Sequence, residues 1–99
     1  MSRAVHFTLR ARKQIAAASA WWLEHRDKAP EAFLEDFQET LASISMTPGI
    51  GIPVPSRRPG IRRVFLDRLR YYLYYRIRLD GDIDVVAIWH ASRGAQPRL

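Results

Sequence analysis

Helical periodicity fills the first half of this chain, and strand-like alternation dominates the second. Arg3 to Phe7 alternates, with Val5 and Phe7 on one side, and reads as a short strand. Thr8 is a natural N-cap for a helix running to about Arg26, whose apolar positions Ala11, Ile15, Ala18 and Trp22, with Leu23 beside them, keep helical spacing. His25, Arg26, Asp27 and Lys28 make a polar break before Pro30, which suits the first turn of a second helix ending near Met46. Phe33, Phe37, Leu41 and Ile44 line one stripe of that helix, with Leu34 adjacent, while Glu31, Glu35 and Glu39 recur opposite. Two amphipathic helices joined by a short loop predict an antiparallel hairpin. Thr47-Pro48-Gly49 ends it.

Residues 48–60 hold four prolines and three glycines around Ile50, Ile52 and Val54, which predicts an ordered crossing segment anchored by those apolar side chains. Ile61 to Leu66 reads as a strand and Asp67 to Leu69 as a tight connection. Two β-rich runs then flank Asp80-Gly81, a strong hairpin signal. With Asp80 and Gly81 as the central residues of a two-residue turn, paired positions sum to 161. Tyr71, Leu73, Tyr75 and Ile77 would share a face with His90, Ile88, Val86 and Asp84 and lie on the helices. Tyr72, Tyr74, Arg76 and Arg78 would share the other face with Trp89, Ala87, Val85 and Ile83. A slip of one residue would exchange the faces.

The pattern therefore predicts one α+β domain over residues 1–99: a short N-terminal strand, an antiparallel two-helix hairpin, then a three-stranded antiparallel sheet. Ninety-nine residues can bury about 60–70% of the unfolded chain's surface. Cysteine is absent, which removes disulfides, thiolate catalysis and Cys-ligated metal. No apolar run approaches the roughly 20 residues of a membrane span, so the chain is expected to be cytoplasmic, with no membrane partner.

Charge changes the picture more than composition does. Residues 1–48 balance six basic against six acidic groups; residues 49–99 set ten arginines against Asp67, Asp80, Asp82 and Asp84, so the whole net charge of +6 lies in the second half. Arginine's planar fork suits carboxylate or phosphate better than lysine's point charge does. Arginines interleaved with aromatics on a hairpin favour an anionic or base-rich partner.

Candidate chemistry is sparse. There is no P-loop, dinucleotide fingerprint, zinc-protease helix or nucleophile elbow, and three dispersed histidines lack ligand spacing, so neither metal nor cofactor is expected. His6 and His25 read as structural. His90 ends a strand beside Trp89 and near Arg93; it can serve as an acid or base on RNA, or simply hydrogen-bond backbone at the strand end. Arg62 and Arg63 point to opposite faces, so only one can join Arg76 and Arg78. Arg57 and Arg58 read as a solvated rim. Tyr71 and Tyr75 are expected in the core, with Tyr72 and Tyr74 free to meet a partner. Trp21 and Trp22 lie about 100° apart on a helix, so one is expected inside and the other exposed.

The run T-P-G-I-G-I-P-V, then G-I-R-R-V-F-L, Y-Y-L-Y-Y-R-I and V-V-A-I-W-H-A-S-R-G, in this order of elements, resembles the RelE/ParE superfamily of bacterial toxins across essentially the whole chain. The resemblance implies the toxin half of a type II toxin–antitoxin module, assembled with a cognate antitoxin as a hetero-oligomer. It also implies one of two targets. ParE-like members inhibit DNA gyrase; RelE-like members cut mRNA on the ribosome. RelE carries a catalytic arginine in a G-Y-R-L-V-Y strand, and matching leucine to leucine puts Tyr72 there, which with the long helical hairpin favours ParE. A RelE-like nuclease would draw on Arg63, Arg76, His90 and Arg93. The surface for the target is expected at Arg62, Arg63, His90, Arg93 and the residues after Gly94. The surface for the antitoxin is expected at Trp21, Trp22, Tyr72, Tyr74, Arg76 and Arg78. A non-toxic RNA-binding module remains an alternative for the same charges and rings.

Overall fold

The computed structural model describes residues 3–25 and 29–99. Its elements are β1 (Val5–Phe7), α1 (Leu9–His25), α2 (Ala32–Met46), β2 (Ile52–Pro53), β3 (Ile61–Leu66), β4 (Tyr71–Ile77) and β5 (Ile83–His90). Single 3₁₀ turns occupy Pro48–Ile50 and Ala91–Arg93. The Thr8 cap is present, its Oγ1 accepting from the Ala11 N–H at 3.1 Å. Arg26, Asp27 and Lys28 of the polar break lie outside the described residues. Pro30 sits in the turn before α2, closed by Ala32 N–H to the Ala29 carbonyl at 3.1 Å, and not in the helix itself.

The expected three-stranded meander is the centre of a larger mixed sheet of five strands, in the order β1-β5-β4-β3-β2. β1 runs parallel to β5, pairing Val5 with Ile83 and Phe7 with Val85. β2 adds a two-residue antiparallel edge on β3, pairing Ile52 with Arg63. Alternation along the chain marks β1 as a strand without naming its neighbour in the sheet, and β2 is too short to carry a period at all.

The hairpin differs from its expected form in one consequential way. Gly81 donates to the Arg78 carbonyl at 3.0 Å, and Arg78 donates to the Asp82 carbonyl at 2.8 Å. The loop is therefore Leu79-Asp80-Gly81, a turn closed by Gly81 at φ 92°, a region that glycine enters without Cβ strain. Near this turn the pairs sum to 160: Ile77 with Ile83, Arg76 with Asp84, Tyr75 with Val85. A bulge at Val86 then restores the sum of 161 for Tyr74–Ala87 through Tyr71–His90.

That bulge corrects the expected faces. Ile83 and Val85, both 0% exposed, join Ile88 in the helix-side core, and Val86 turns to the outer face with Ala87. Asp84 reaches Arg76 and Arg78, so its carboxylate escapes burial under the helices. The β4 half of the assignment stands: Leu73 and Tyr75 pack on the helix side and Tyr74 on the other.

Ala11, Ala18 and Trp22 of α1 and Phe33, Phe37 and Ile44 of α2 complete the main core. The small residues of α1 let it approach β5 closely, and the Gln14 side chain caps the Ile88 N–H at 3.0 Å where no strand pairs with β5. Among the described residues no helix is long and apolar enough to cross a membrane.

The crossing segment is held by polar contacts, contrary to expectation. Ile50 and Ile52 are exposed and only Val54 packs inward. The buried Tyr75 hydroxyl donates to the Pro48 carbonyl at 2.5 Å and accepts from the Gly51 N–H at 2.9 Å. Arg62 donates to the Gly51 carbonyl at 2.7 Å. A Cβ on Gly51 would lie 2.5 Å from that hydroxyl, which is why glycine stands there.

Candidate functional site

At the end of the sheet farthest from the Asp80-Gly81 turn, three strands place flat rings side by side on the outer face. β3 supplies Phe65 opposite Tyr72 of β4, and Tyr72 lies opposite Trp89 of β5. The Phe65 and Tyr72 rings are 5.0 Å apart. Three guanidinium groups lie over this aromatic row: Arg63 at 4.3 Å from the Tyr72 centroid, Arg93 at 3.9 Å from that of Trp89 and Arg70 at 5.2 Å from that of Phe65. Each stack contributes about 0.5–1 kcal/mol at an exposed site. No ion pair to Arg63 or Arg93 is present among the described residues. The stacked forks are thus oriented and keep N–H donors for an incoming anion. A pocket of about 320 Å³ between Arg63, Tyr72, Trp89 and His90 opens beside them, walled by Ala95 and Gln96.

His90 stands at the rim. Its Nδ1 accepts from the Ser92 N–H at 3.1 Å and lies 2.7 Å from the Ser92 hydroxyl, and the Tyr71 ring meets its ring edge-on at 5.0 Å. With Nδ1 held as an acceptor, the neutral ring carries its proton on Nε2. Burial pushes the Tyr71 phenol above its usual range, against the opposing charge of Arg93.

The structure brings together Arg63, His90 and Arg93 of the expected target surface and leaves Arg62 elsewhere. Arg62 points to the helix side, where it holds the crossing segment. Arg76, the fourth candidate catalytic residue, pairs with Asp84 at 3.3 Å near the turn. It is five residues along β4 from Tyr71, the partner of His90, or about 17 Å at strand rise. Arg78 is likewise bound, to Asp80 at 3.0 Å and Asp84 at 3.8 Å.

The expected antitoxin surface also divides. Tyr74 is only 1% exposed, packed with Ile61, Val86 and Ala87 and, beyond them, Val54 and Leu99. Tyr72 stays partly open. Trp22 is buried and gives its Nε1–H to the Ala29 carbonyl at 2.8 Å, while Trp21 is 45% exposed and stacks on His25 at 4.5 Å. On the helix side, Trp21, Tyr71, Leu69 and His90 line a pocket of about 510 Å³. Phe65 and Trp89 are the site residues absent from the expected surfaces. For Trp89 the signal is its cross-strand position opposite Tyr72, since the register at that end is as expected. Among the described residues no group of His, Asp or Glu is arranged to hold a metal ion.

Comparison with known proteins follows the same lines. The family described as the ParE toxin of the type II toxin–antitoxin system parDE matches residues 5–94. No curated protein matches the chain. A chain of the chromosomal ParDE system from P. aeruginosa is similar at a TM-score of 0.68 and 21% identity, over 90% of this chain and 96% of that one. The isolated E. coli RelE toxin is similar at 0.62 and 18%, over 94% and 88%. A chain of the YoeB dimer from Staphylococcus aureus is similar at 0.61 and 18%, over 91% and 99%. At these identities the solved structures speak for the fold.

Proposed function

Because the chain belongs to the ParE toxin family of type II toxin–antitoxin systems, we propose that it arrests growth by inhibiting DNA gyrase and is neutralised by a cognate antitoxin. The observation that carries gyrase inhibition over mRNA cleavage is the separation of Arg76 from the other three candidate catalytic groups, Arg63, His90 and Arg93. Cleavage through a ribose 2′-OH needs a base, an acid and charge stabilisation around one phosphate. Arg76 is committed to Asp84 near the hairpin turn, while His90 lies at the opposite end of the sheet with Nδ1 held by Ser92. Tyr72 supplies a ring at the strand position where the RelE motif has its arginine, and that ring serves to hold Arg63. The remaining three, Arg63, His90 and Arg93, support a binding surface of oriented cations that lacks the fourth candidate group.

The neutralising partner has a solved parallel, since a mutant of the E. coli toxin RelE is known in complex with a peptide of the antitoxin RelB. Here the exposed Trp21 and the adjoining pocket of Tyr71, Leu69 and His90 offer such a partner an aromatic anchor point, and Tyr72 a second one on the outer face. The test is supercoiling by purified gyrase alongside ribosome-dependent cleavage of a reporter mRNA. The wild-type chain should block supercoiling and leave the mRNA whole. Arg63→Ala/Arg93→Ala should weaken that inhibition by about tenfold or more. Cleaved mRNA with unaffected gyrase would overturn the reading and make His90 the first residue to substitute.

A further inference from the structure

We propose that the groove where the start of α1, the crossing segment and the C-terminal residues meet is a binding site for a linear polyphosphate group. Arg10, Arg57, Arg58 and Arg98 line one open pocket of about 280 Å³, floored by Ile61 and Val86. Arg10 and Arg98 stand 88 positions apart, and the Arg10 guanidinium donates to the Arg98 main-chain carbonyl. None of the four has an ion-pair partner among the described residues. The fold therefore gathers four like charges into a small space whose lining holds no acidic side chain, an arrangement that favours an incoming anion.

The chemistry of that anion follows from charge density. An extended peptide presents side chains alternately to opposite faces with a rise of about 3.3 Å per residue, so acidic residues deliver one carboxylate to a given face only at every second position. A linear polyphosphate carries charge on every phosphate and offers several oxygens to each planar guanidinium fork. Thr8, the cap of the 17-residue α1, lines the same pocket, so the positive end of the helix dipole adds to the arginines. A nucleic-acid backbone, whose singly charged phosphates are separated by sugars, fits this density less well and serves as the competing ligand in the test.

Binding here also has a mechanical consequence. The C-terminal residues are fastened at two other points: Trp89 Nε1–H to the Ala95 carbonyl at 2.6 Å and Gln96 Nε2–H to the Pro55 carbonyl at 2.8 Å. A polyphosphate bridging Arg98 to Arg57 and Arg58 adds a fourth tie between the same residues and the body. The inference stands apart from the choice between gyrase and mRNA.

The experiment is calorimetric titration of the full chain near 0.1 M salt with sodium tripolyphosphate, and in a parallel arm with a short single-stranded oligonucleotide. Arg57→Ala/Arg58→Ala is compared with Arg3→Ala/Lys13→Ala, which removes the same charge elsewhere; all four residues are exposed, and folding is checked by circular dichroism. The first pair should weaken binding by about tenfold or more, the second by less than about threefold. Tripolyphosphate should also slow hydrogen exchange at Gln96, Arg98 and Leu99. Selective loss in the tripolyphosphate arm supports the polyphosphate site, and selective loss confined to the oligonucleotide arm overturns it in favour of a nucleic-acid backbone. No binding in either arm, or equal weakening by both pairs, overturns the site.

Discussion

The two faces of the sheet use the same three long strands and are closed in different ways. On the helix side Leu73, Tyr75, Val85 and Ile88 meet α1 and α2, and a continuous core runs from Ala11 to Ile44. On the outer side the buried cluster among the described residues is Ile61, Tyr74, Val86 and Ala87, closed by Val54 and Leu99 from irregular segments. Regular helices can cover a whole face with large side chains, whereas two loop segments cover a patch. The uncovered end of the outer face is where Arg63, Tyr72, Trp89 and Arg93 gather. Stability is concentrated on one face and the exposed chemistry on the other.

The sharpest way to break this comparison is to remove volume from each face. Leu73→Ala should cost about 2–5 kcal/mol in denaturant unfolding, because the helices cannot collapse onto the void. Val86→Ala should cost about 1.5 kcal/mol, near the transfer term alone, since Val54 and Leu99 can settle inward. Equal losses would mean that the outer cluster is as firmly closed as the inner.

Next in size is Tyr75→Phe, which leaves the Gly51 N–H and the Pro48 carbonyl without their partner and should cost about 1–3 kcal/mol. Its pH dependence sharpens the point. Burial holds the Tyr75 phenol above its ordinary value of 10.0, against the Gly51 amide and the Arg62 charge. The unfolded chain therefore ionises first as pH rises. The contribution is complete below pH 10.0 and is lost above it as pH passes through the folded value. Tyr75→Phe should remove that part of the alkaline loss, read as unfolding free energy against pH.

Trp89→Phe should be smaller, about 0.5–1.5 kcal/mol, because it deletes one hydrogen bond to Ala95 on the thinly covered face. Faster hydrogen exchange at residues 95–99, with the helices unchanged, is the expected signature. The smallest effect is Asp82→Asn. The His6 hydrogen bond, more than its charge, holds the exposed Asp82 carboxyl below its ordinary value of 3.8. Its contribution is present above that pH and fades as pH falls through the folded value. The wild-type and Asp82→Asn stability curves should therefore converge in acid.

Much of this was legible in the residues. Both helices, the Thr8 cap, the β3 boundaries and the β4 faces follow from periods that repeat often enough to be counted. The resemblance to RelE/ParE toxins rested on the order of those elements and agrees with the family match over residues 5–94. The Val86 bulge escaped notice because Val85-Val86-Ala87-Ile88 is apolar throughout and alternation cannot register an extra residue there. Asp80-Gly81 pointed to the hairpin and misplaced its loop by one residue, since a two-residue and a three-residue turn share the same glycine signal.

The sequence by itself determined the two helices and the long strands, the arginine excess of the second half and the family. Only the tertiary structure decided which charges are spent and which are available. Arg76 and Arg78 are bound to acids and Arg62 to the crossing segment, whereas Arg63 and Arg93 rest on rings, and Arg10, Arg57, Arg58 and Arg98 converge on one pocket. A period along the chain reports how a side chain relates to its neighbours in sequence. The partner of a charge is set by contacts across the sheet and between its ends, over separations that no local pattern records.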